Sequence, residues 1–313
     1  MDKLPWHNSY PLDPRRVAEI LAADLQDLTV THVAVLGEGW DFATFTVNDE
    51  WVFRFPKRRQ AARQLAREYK MLEALAKPMA TQSIAIPRYR YHVETPVLAP
   101  LAYVGYPLLH GDPLIECICD DVDRVDIGNQ LGAFLERLHA AAPSRPPRIF
   151  HDPFPGSLID FRHELDASIA ALPPPIGSAC VELLSRAPPL DEGPPRFQHG
   201  DLGAEHILID RTRSRVTAII DWGDAGWGNS VGDLVGLWAW GGDRAVNGAL
   251  ATLSQQVSND DWIRLRTWGA AYAVGSAYYG YKDRRDPLHA TAIGWLERMQ
   301  AAGQLADPGT PDA

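Results

Sequence analysis

Two short stretches hold side chains whose types and spacing could do chemistry. In HGDLGAEHILID, residues 199–210, Asp201 stands in a short loop and His206 follows it closely. In AIIDWGD, an apolar run delivers Asp221 to a turn. A loop aspartate can hydrogen-bond a hydroxyl, orient it and take its proton late, as phosphoryl transfer requires. Asp221 offers the hard oxygen that Mg2+ prefers, and Mg2+ keeps much of its water, so one further protein ligand suffices. His206 would be that ligand, directly through a neutral nitrogen or through a metal-bound water, although imidazole suits Mg2+ less well than an amide oxygen. Each residue alone has a plainer reading: a turn aspartate bonded to its own backbone, a strand-end cap, a packed histidine. Their joint spacing outweighs those readings.

Phosphates need a close backbone and a cation. LGEGWDFATF reads as a hairpin with Gly37 and Gly39, and glycines let the backbone approach phosphates. Arg54, in VFRFP, is the expected cation, with Glu68 on the next helix as its partner. Lys57 and Glu73 are competing assignments. For the acceptor, Asp224 and Asp243 are carboxylates suited to ammonium groups. Trp227, Trp238, Trp240 and Trp268 would line an apolar pocket, unless they serve ordinary core packing.

Periodicity supplies the elements that must hold these residues. Apolar positions at helical spacing predict a helix over 14–26, with Pro14 at its start. THVAVLGEGWDFATFTVNDEWVFRFP alternates and predicts three strands, and RRQAARQLAREYKMLEALA predicts a long helix after them. IAIPRYRYH and PVLAPLAYVGYPL read as two more strands. From about residue 106 the pattern turns helical, in VDIGNQLGAFLERLHAA, LIDFRHELDASIAAL, DLVGLWAWGG and DWIRLRTWGAAYAVGSAYYGY, with Pro-rich loops between some of them. The expected division is an N-terminal nucleotide-binding lobe, 1–105, and a C-terminal catalytic and substrate-binding lobe, 106–313.

Composition narrows the classes. The chain has 313 residues, long enough for two units with cores, and 22% charged residues, as in globular proteins. No apolar run is long enough to span a membrane, and MDKLPWHNSYPLDPRR lacks the apolar stretch of a secretion signal, so the cytoplasm is the expected location. Cys117, Cys119 and Cys180 are too few and too scattered for a disulfide framework. A net charge of −10 disfavours nucleic acid and favours a cationic small molecule, or simply maintains solubility. Oligomeric state is not legible.

Together, LGEGWDFATFTVNDEWVFRFP, REYKMLEAL, YVGYPLLHGDPL, LGAFLERLHA, HGDLGAEHILID and IIDWGDAGWGNSVGDL resemble the aminoglycoside and macrolide phosphotransferases. The resemblance covers most of the chain and implies an α+β, bilobal protein-kinase-like fold, with an antiparallel sheet and helix in the N-lobe and a mainly helical C-lobe. It implies Asp201 as the catalytic aspartate, His206 and Asp221 as Mg2+ ligands, and Arg54 with Glu68 as the cation–carboxylate pair. It also implies that YVGYP, with Tyr103 and Gly105, is the hinge that reads the base, and that Asp233 braces the catalytic loop. Kinases carry Asn where this chain carries His206; the aminoglycoside 2″-phosphotransferases and macrolide enzymes resemble it in having His there. The chain departs from the family in having GNS at 228–230, where many members have GDP, and in Arg54 for Lys. The implied activity is transfer of the γ-phosphoryl group of ATP or GTP to a hydroxyl of a small-molecule antibiotic, an aminoglycoside first, a macrolide or nucleoside antibiotic next. A metabolite kinase for an amino alcohol, a sugar or a glycated amine is the second reading. A nucleotide-binding pseudokinase is the third, disfavoured because Asp201 and Asp221 are both present.

Overall fold

Asp13 starts the first helix. Its carboxylate accepts from the Arg16 N–H at 2.7 Å, and Pro14 takes the first helical position, where no backbone donor is missed. The helix, α1 (Pro14–Asp24), buries Val17, Ile20 and Leu21 on one face. Full burial of one such side chain stabilises by about 1.5–3 kcal/mol. The face it meets belongs to a five-stranded antiparallel sheet: β1 (Val33–Glu38), β2 (Phe42–Val47), β3 (Trp51–Pro56), β4 (Tyr91–Val93) and β5 (Tyr103–Pro107), in the order β1-β2-β3-β5-β4. Phe45, Phe53, Phe55, Tyr91 and Tyr103 pack with α1. Phe42 and Val104 pack with Ala61 and Leu65 of α2 (Arg59–Ala76), which follows β3. The computed structural model describes residues 8–39, 41–117, 119–142, 166–167, 169–185, 195–229, 231–282 and 286–309.

The second unit is mainly helical. Among the described residues it holds α3 (Asp121–Ala141), α4 (Pro174–Ser185), α5 (Gly232–Leu250), α6 (Asn259–Lys282) and α7 (Asp286–Ala301). Two small sheets accompany them. One pairs β6 (Asp112–Pro113), β8 (Ile207–Asp210) and β9 (Arg215–Ile219); the other pairs β7 (Pro195–Gln198) with β10 (Gly226–Asn229). A capping box between Asp120 and Asp123 starts α3. Helices α3 and α5 cross closely: a Cβ at Gly128 would lie 2.1 Å from the Ala245 carbonyl. Helix α5 breaks at Gly242, φ 67°, and the Arg298 guanidinium donates to the carbonyls of Trp238 and Ala239 near that break. No helix among the described residues is long and apolar enough to cross a membrane.

Several expectations shift. Only Tyr91–Val93 of IAIPRYRYH is strand, and most of LIDFRHELDASIAAL lies outside the described residues. YVGYP is not a connector. It is β5, the strand that its pattern predicts, hydrogen-bonded to both β3 and β4 rather than the hinge that the resemblance implies. The chain divides into residues up to 81 with 85–110, and 82–84 with 111 onward, so a cut after residue 105 falls inside β5.

Candidate active site

In the second unit, β7 leads through His199 and Gly200 to Asp201. Gly200 has φ 86°, and a Cβ there would lie 2.2 Å from the Asp224 carbonyl, so both conformation and space demand glycine. Asp233, in the first turn of α5, accepts the N–H of His199 at 2.8 Å and of Gly200 at 2.9 Å. Two buried donors before the Asp201 loop are thus satisfied by one carboxylate. Burial pushes the Asp233 carboxyl up to about 6, against the pull of those two N–H groups. The GNS departure does not disturb this brace: β10 pairs with β7, and Asn229 Oδ1 accepts the Val231 N–H at 2.8 Å just before α5.

His199 is wholly buried against the Trp222 ring at 4.7 Å. Its Nε2 meets the Ile220 carbonyl at 2.9 Å and its Nδ1 accepts from the Asp201 N–H at 3.3 Å. That fixes a neutral ring protonated at Nε2. Burial holds its pKa down at about 3.

His206 has the opposite tautomer. Its Nδ1 lies 2.9 Å from the Asp201 carbonyl, which only an N–H can satisfy. In the neutral ring Nε2 then carries the lone pair, 3.7 Å from Asp221 Oδ2. The Asp201 carboxylate lies 3.6 Å from Nδ1. Asp221 itself has φ 62°, a left-handed conformation uncommon for a non-glycine residue and often found at functional sites. The Ile220 N–H bonds the His206 carbonyl at 3.0 Å, tying the two segments together. One imidazole nitrogen and one carboxylate form a donor set that fits a Mg2+ ion retaining most of its water. Among the described residues no group of three or more such ligands exists, so a fully protein-coordinated metal centre is not built there.

The carboxylates repel one another. Burial, with help from Glu205, Asp224 and Asp221, raises the Asp201 pKa, while His206 opposes the rise. Burial alone would lower the His206 pKa, but the carboxylates of Asp201, Glu205 and Asp221 outweigh it and raise it.

The first unit brings together the other expected residues. Arg54 Nη1 lies 2.6 Å from Glu68 Oε1, both side chains are buried, and the guanidinium sits over the Phe42 ring. Tyr89 donates to the same Glu68 oxygen at 2.6 Å. Lys57 goes elsewhere: its ammonium donates to the Gly39 carbonyl at 2.9 Å and meets Glu38 at 3.0 Å. Glu73 is exposed on α2. At Gly37 and Gly39 an added Cβ would meet nothing within 4 Å, so space lies open over the hairpin.

Three assignments need correction. Tyr103 is fully buried, stacked on Phe55 at 4.7 Å and bonded through its hydroxyl to Asp24 at 2.9 Å, so its ring cannot read a base. Gly105 has the Phe53 ring where a Cβ would go, so its lack of a side chain serves sheet packing. Asp243 is 5% exposed and is paired with Arg266 at 2.6 Å and with Trp238 Nε1 at 2.8 Å, so it cannot pair with a substrate ammonium. Trp238 and Trp268 belong to the core; Trp227 is half-buried on β10 against Phe197. Two residues escaped the sequence reading. Glu205 Oε1 accepts from the Tyr272 hydroxyl at 2.7 Å, linking the Asp201–His206 loop to α6. Glu205 lies within the motif, but nothing in the sequence marks its distant partner.

The chain matches the family described as phosphotransferase enzymes over residues 32–268. It belongs to the phosphotransferase enzyme family. It is a phosphotransferase. Solved structures share its fold at low identity. An aminoglycoside 2″-phosphotransferase described in complex with GDP and kanamycin is 22% identical, with 91% of this chain and 98% of that one covered and a TM-score of 0.66. A wild-type aminoglycoside 2′-phosphotransferase in complex with GDP is 22% identical over 93% and 100% of the two chains, TM-score 0.68. A macrolide 2′-phosphotransferase from Brachybacterium faecium is 20% identical over 90% and 97%, TM-score 0.59. The phosphotransferase fold of this chain is therefore α+β, with an N-terminal antiparallel sheet and a helical C-terminal part.

Proposed function

We propose that this phosphotransferase moves the γ-phosphoryl group of ATP or GTP to a hydroxyl of a small-molecule antibiotic and so inactivates it. The observation that carries the reading is the juxtaposition of Asp201, His206 and Asp221 on a loop braced by Asp233. Phosphoryl transfer passes through a loose transition state, so the protein mainly positions groups and stabilises charge. Asp201 orients the acceptor hydroxyl and takes its proton late. His206 Nε2 and Asp221 are the residues that would hold Mg2+, which supplies charge neutralisation at the phosphates when bound. In the first unit, the Gly37–Gly39 hairpin and Arg54, held by Glu68, are assigned to the nucleotide phosphates, with Lys57 anchoring the hairpin. The support from relatives is that structures of similar fold are described with GDP and with kanamycin.

The test is direct. The purified protein is mixed with Mg2+ and either ATP or GTP, and aminoglycosides, macrolides and nucleoside antibiotics are added one at a time. A mass gain of one phosphate on an antibiotic is the expected result. Silence across the panel with nucleotide binding intact transfers the assignment to a metabolite kinase.

A further inference from the structure

Arg54 stands where kinases carry lysine, and the difference has a geometric consequence. An ammonium is a compact point charge, so turning it about its stem changes little. A guanidinium is a flat fork. Only part of its edge can face a phosphate at one time, so its rotation has to be set.

Three neighbours set it, all within the first unit. The Phe42 ring fixes the plane, with its centroid 4.1 Å from the Arg54 guanidinium carbon. Glu68 Oε1 accepts from Arg54 Nη1 at 2.6 Å. The Tyr89 oxygen accepts from the same Nη1 at 3.2 Å. Nη1 has two N–H bonds, and these two partners occupy both. Tyr89 donates its own proton to Glu68 Oε1 at 2.6 Å, which closes a ring of three hydrogen bonds. A phosphate oxygen that meets Arg54 must therefore meet Nη2 or Nε.

The hydroxyl holds Tyr89 more closely than its ring does. Tyr89 lies just before β4, where the Arg90 N–H bonds the Gly105 carbonyl at 2.9 Å. It is half-buried and borders a cavity of about 120 Å³ together with Tyr69, Leu72 and Arg88. Its aromatic neighbours, Tyr106 at 5.7 Å and Tyr69 at 6.1 Å between centroids, lie toward the long end of ring pairs. The two hydroxyl bonds are the short, directional restraints. Burial first, and the Glu68 charge second, push the phenol well above its ordinary value, so the donated proton stays in place at neutral pH.

We infer that Tyr89 is a positioning residue for the nucleotide phosphates: with Glu68 it occupies one corner of the Arg54 guanidinium and so presents the rest of the fork in a single orientation. The inference rests on the assignment of Arg54 to the phosphates made above, and it adds to that pair a member that neither the motif nor the resemblance names. A tyrosine that only satisfied a buried carboxylate would change stability without distinguishing a triphosphate from a nucleoside.

Titration calorimetry on the full chain makes that distinction and needs no acceptor. The probes are ATP and GTP, each with Mg2+, against adenosine and guanosine. Tyr89→Phe keeps the ring and removes the hydroxyl. It should weaken the triphosphates by about three- to tenfold and leave the nucleosides at wild-type affinity. In a second background Arg54→Met is combined with Glu68→Met, so that no buried charge is stranded, and the triphosphates should weaken by about tenfold or more. Adding Tyr89→Phe to that pair should change nothing further, because no guanidinium remains to be oriented. Equal losses for triphosphate and nucleoside in Tyr89→Phe, no loss for either, or the same loss repeated in the methionine pair would each overturn the role of Tyr89. Failure of the phosphate assignment looks different: the methionine pair then binds triphosphates like wild type, which removes Arg54 from the phosphates and Tyr89 with it.

Discussion

At the scale of single residues, tautomers and charge decide what Asp201 and His206 can do. Replacing Asp201 by Ala should lower turnover by about 10³-fold while nucleotide affinity stays near wild type, because the carboxylate is assigned to the acceptor; titration calorimetry alongside a turnover assay checks both. A His206 that binds a cation must be neutral. Sequence alone places its acid limb near the ordinary histidine value of about 6.5. The surrounding carboxylates raise the value in this loop, so protons compete with the cation at higher pH than that. Activity at low Mg2+ should therefore fall as the pH drops from above neutrality, and added Mg2+ should move the limb down. His206→Asn should flatten it. A pH–rate series at two Mg2+ concentrations makes the measurement, and identical profiles for both proteins would remove His206 from the cation site.

Secondary elements carry the brace and the buried ion pair. Asp233→Ala leaves the N–H groups of His199 and Gly200 buried without acceptors, at a cost of about 3 kcal/mol. Turnover should fall more than that loss of folded protein explains, because Gly200 precedes Asp201. Urea unfolding with activity scored per folded molecule separates the two effects. Arg54→Met takes the cation from the buried Glu68 carboxylate, leaving it only polar partners such as Tyr89, and should cost about 3–5 kcal/mol. The double variant with Glu68→Met should regain much of it, whereas nucleotide affinity, if Arg54 contacts phosphates, should not recover. The pairing of Arg54 with Glu68 was readable because strand and following helix are close in sequence and their periods are clear. The place of Lys57 was not, since its partners are the Gly39 carbonyl and Glu38 across the sheet, and no period says which nearby cation turns toward them.

For the whole molecule, buried neutral histidines set acid sensitivity. Burial holds His139 at about 4 and His199 at about 3, below the unfolded value of about 6.5. Between those values the unfolded chain binds protons that the folded chain refuses, so stability is full above about pH 6.5 and is lost as pH falls. Asp233, raised to about 6, works in the opposite sense between about 6 and 4. His139 lies outside the catalytic loop, so His139→Gln isolates one contribution: between pH 7 and 4.5 the variant should lose about 1–2 kcal/mol less than wild type. Denaturant midpoints at the two pH values test this, and equal losses would show that His139 takes up a proton in the folded state.

Local chemistry was legible without coordinates. Asp201, His206 and Asp221 lie in two short stretches whose apolar flanks announce strands, and helix and strand periods follow from which face must be buried. What crosses the chain was not. Tyr103 falls in a run that reads as a strand, but its pattern does not say that pairing of β5 with β3 and β4 buries the ring. Asp243 reads like a free carboxylate, yet Arg266 on another helix neutralises it. Glu205 acquires Tyr272 from a distant helix. Hydrophobic period and turn chemistry depend on near neighbours, so sequence determines them. Ion-pair partners, tautomers and cavity walls depend on which distant side chains share a low-dielectric space, and only the folded chain decides that.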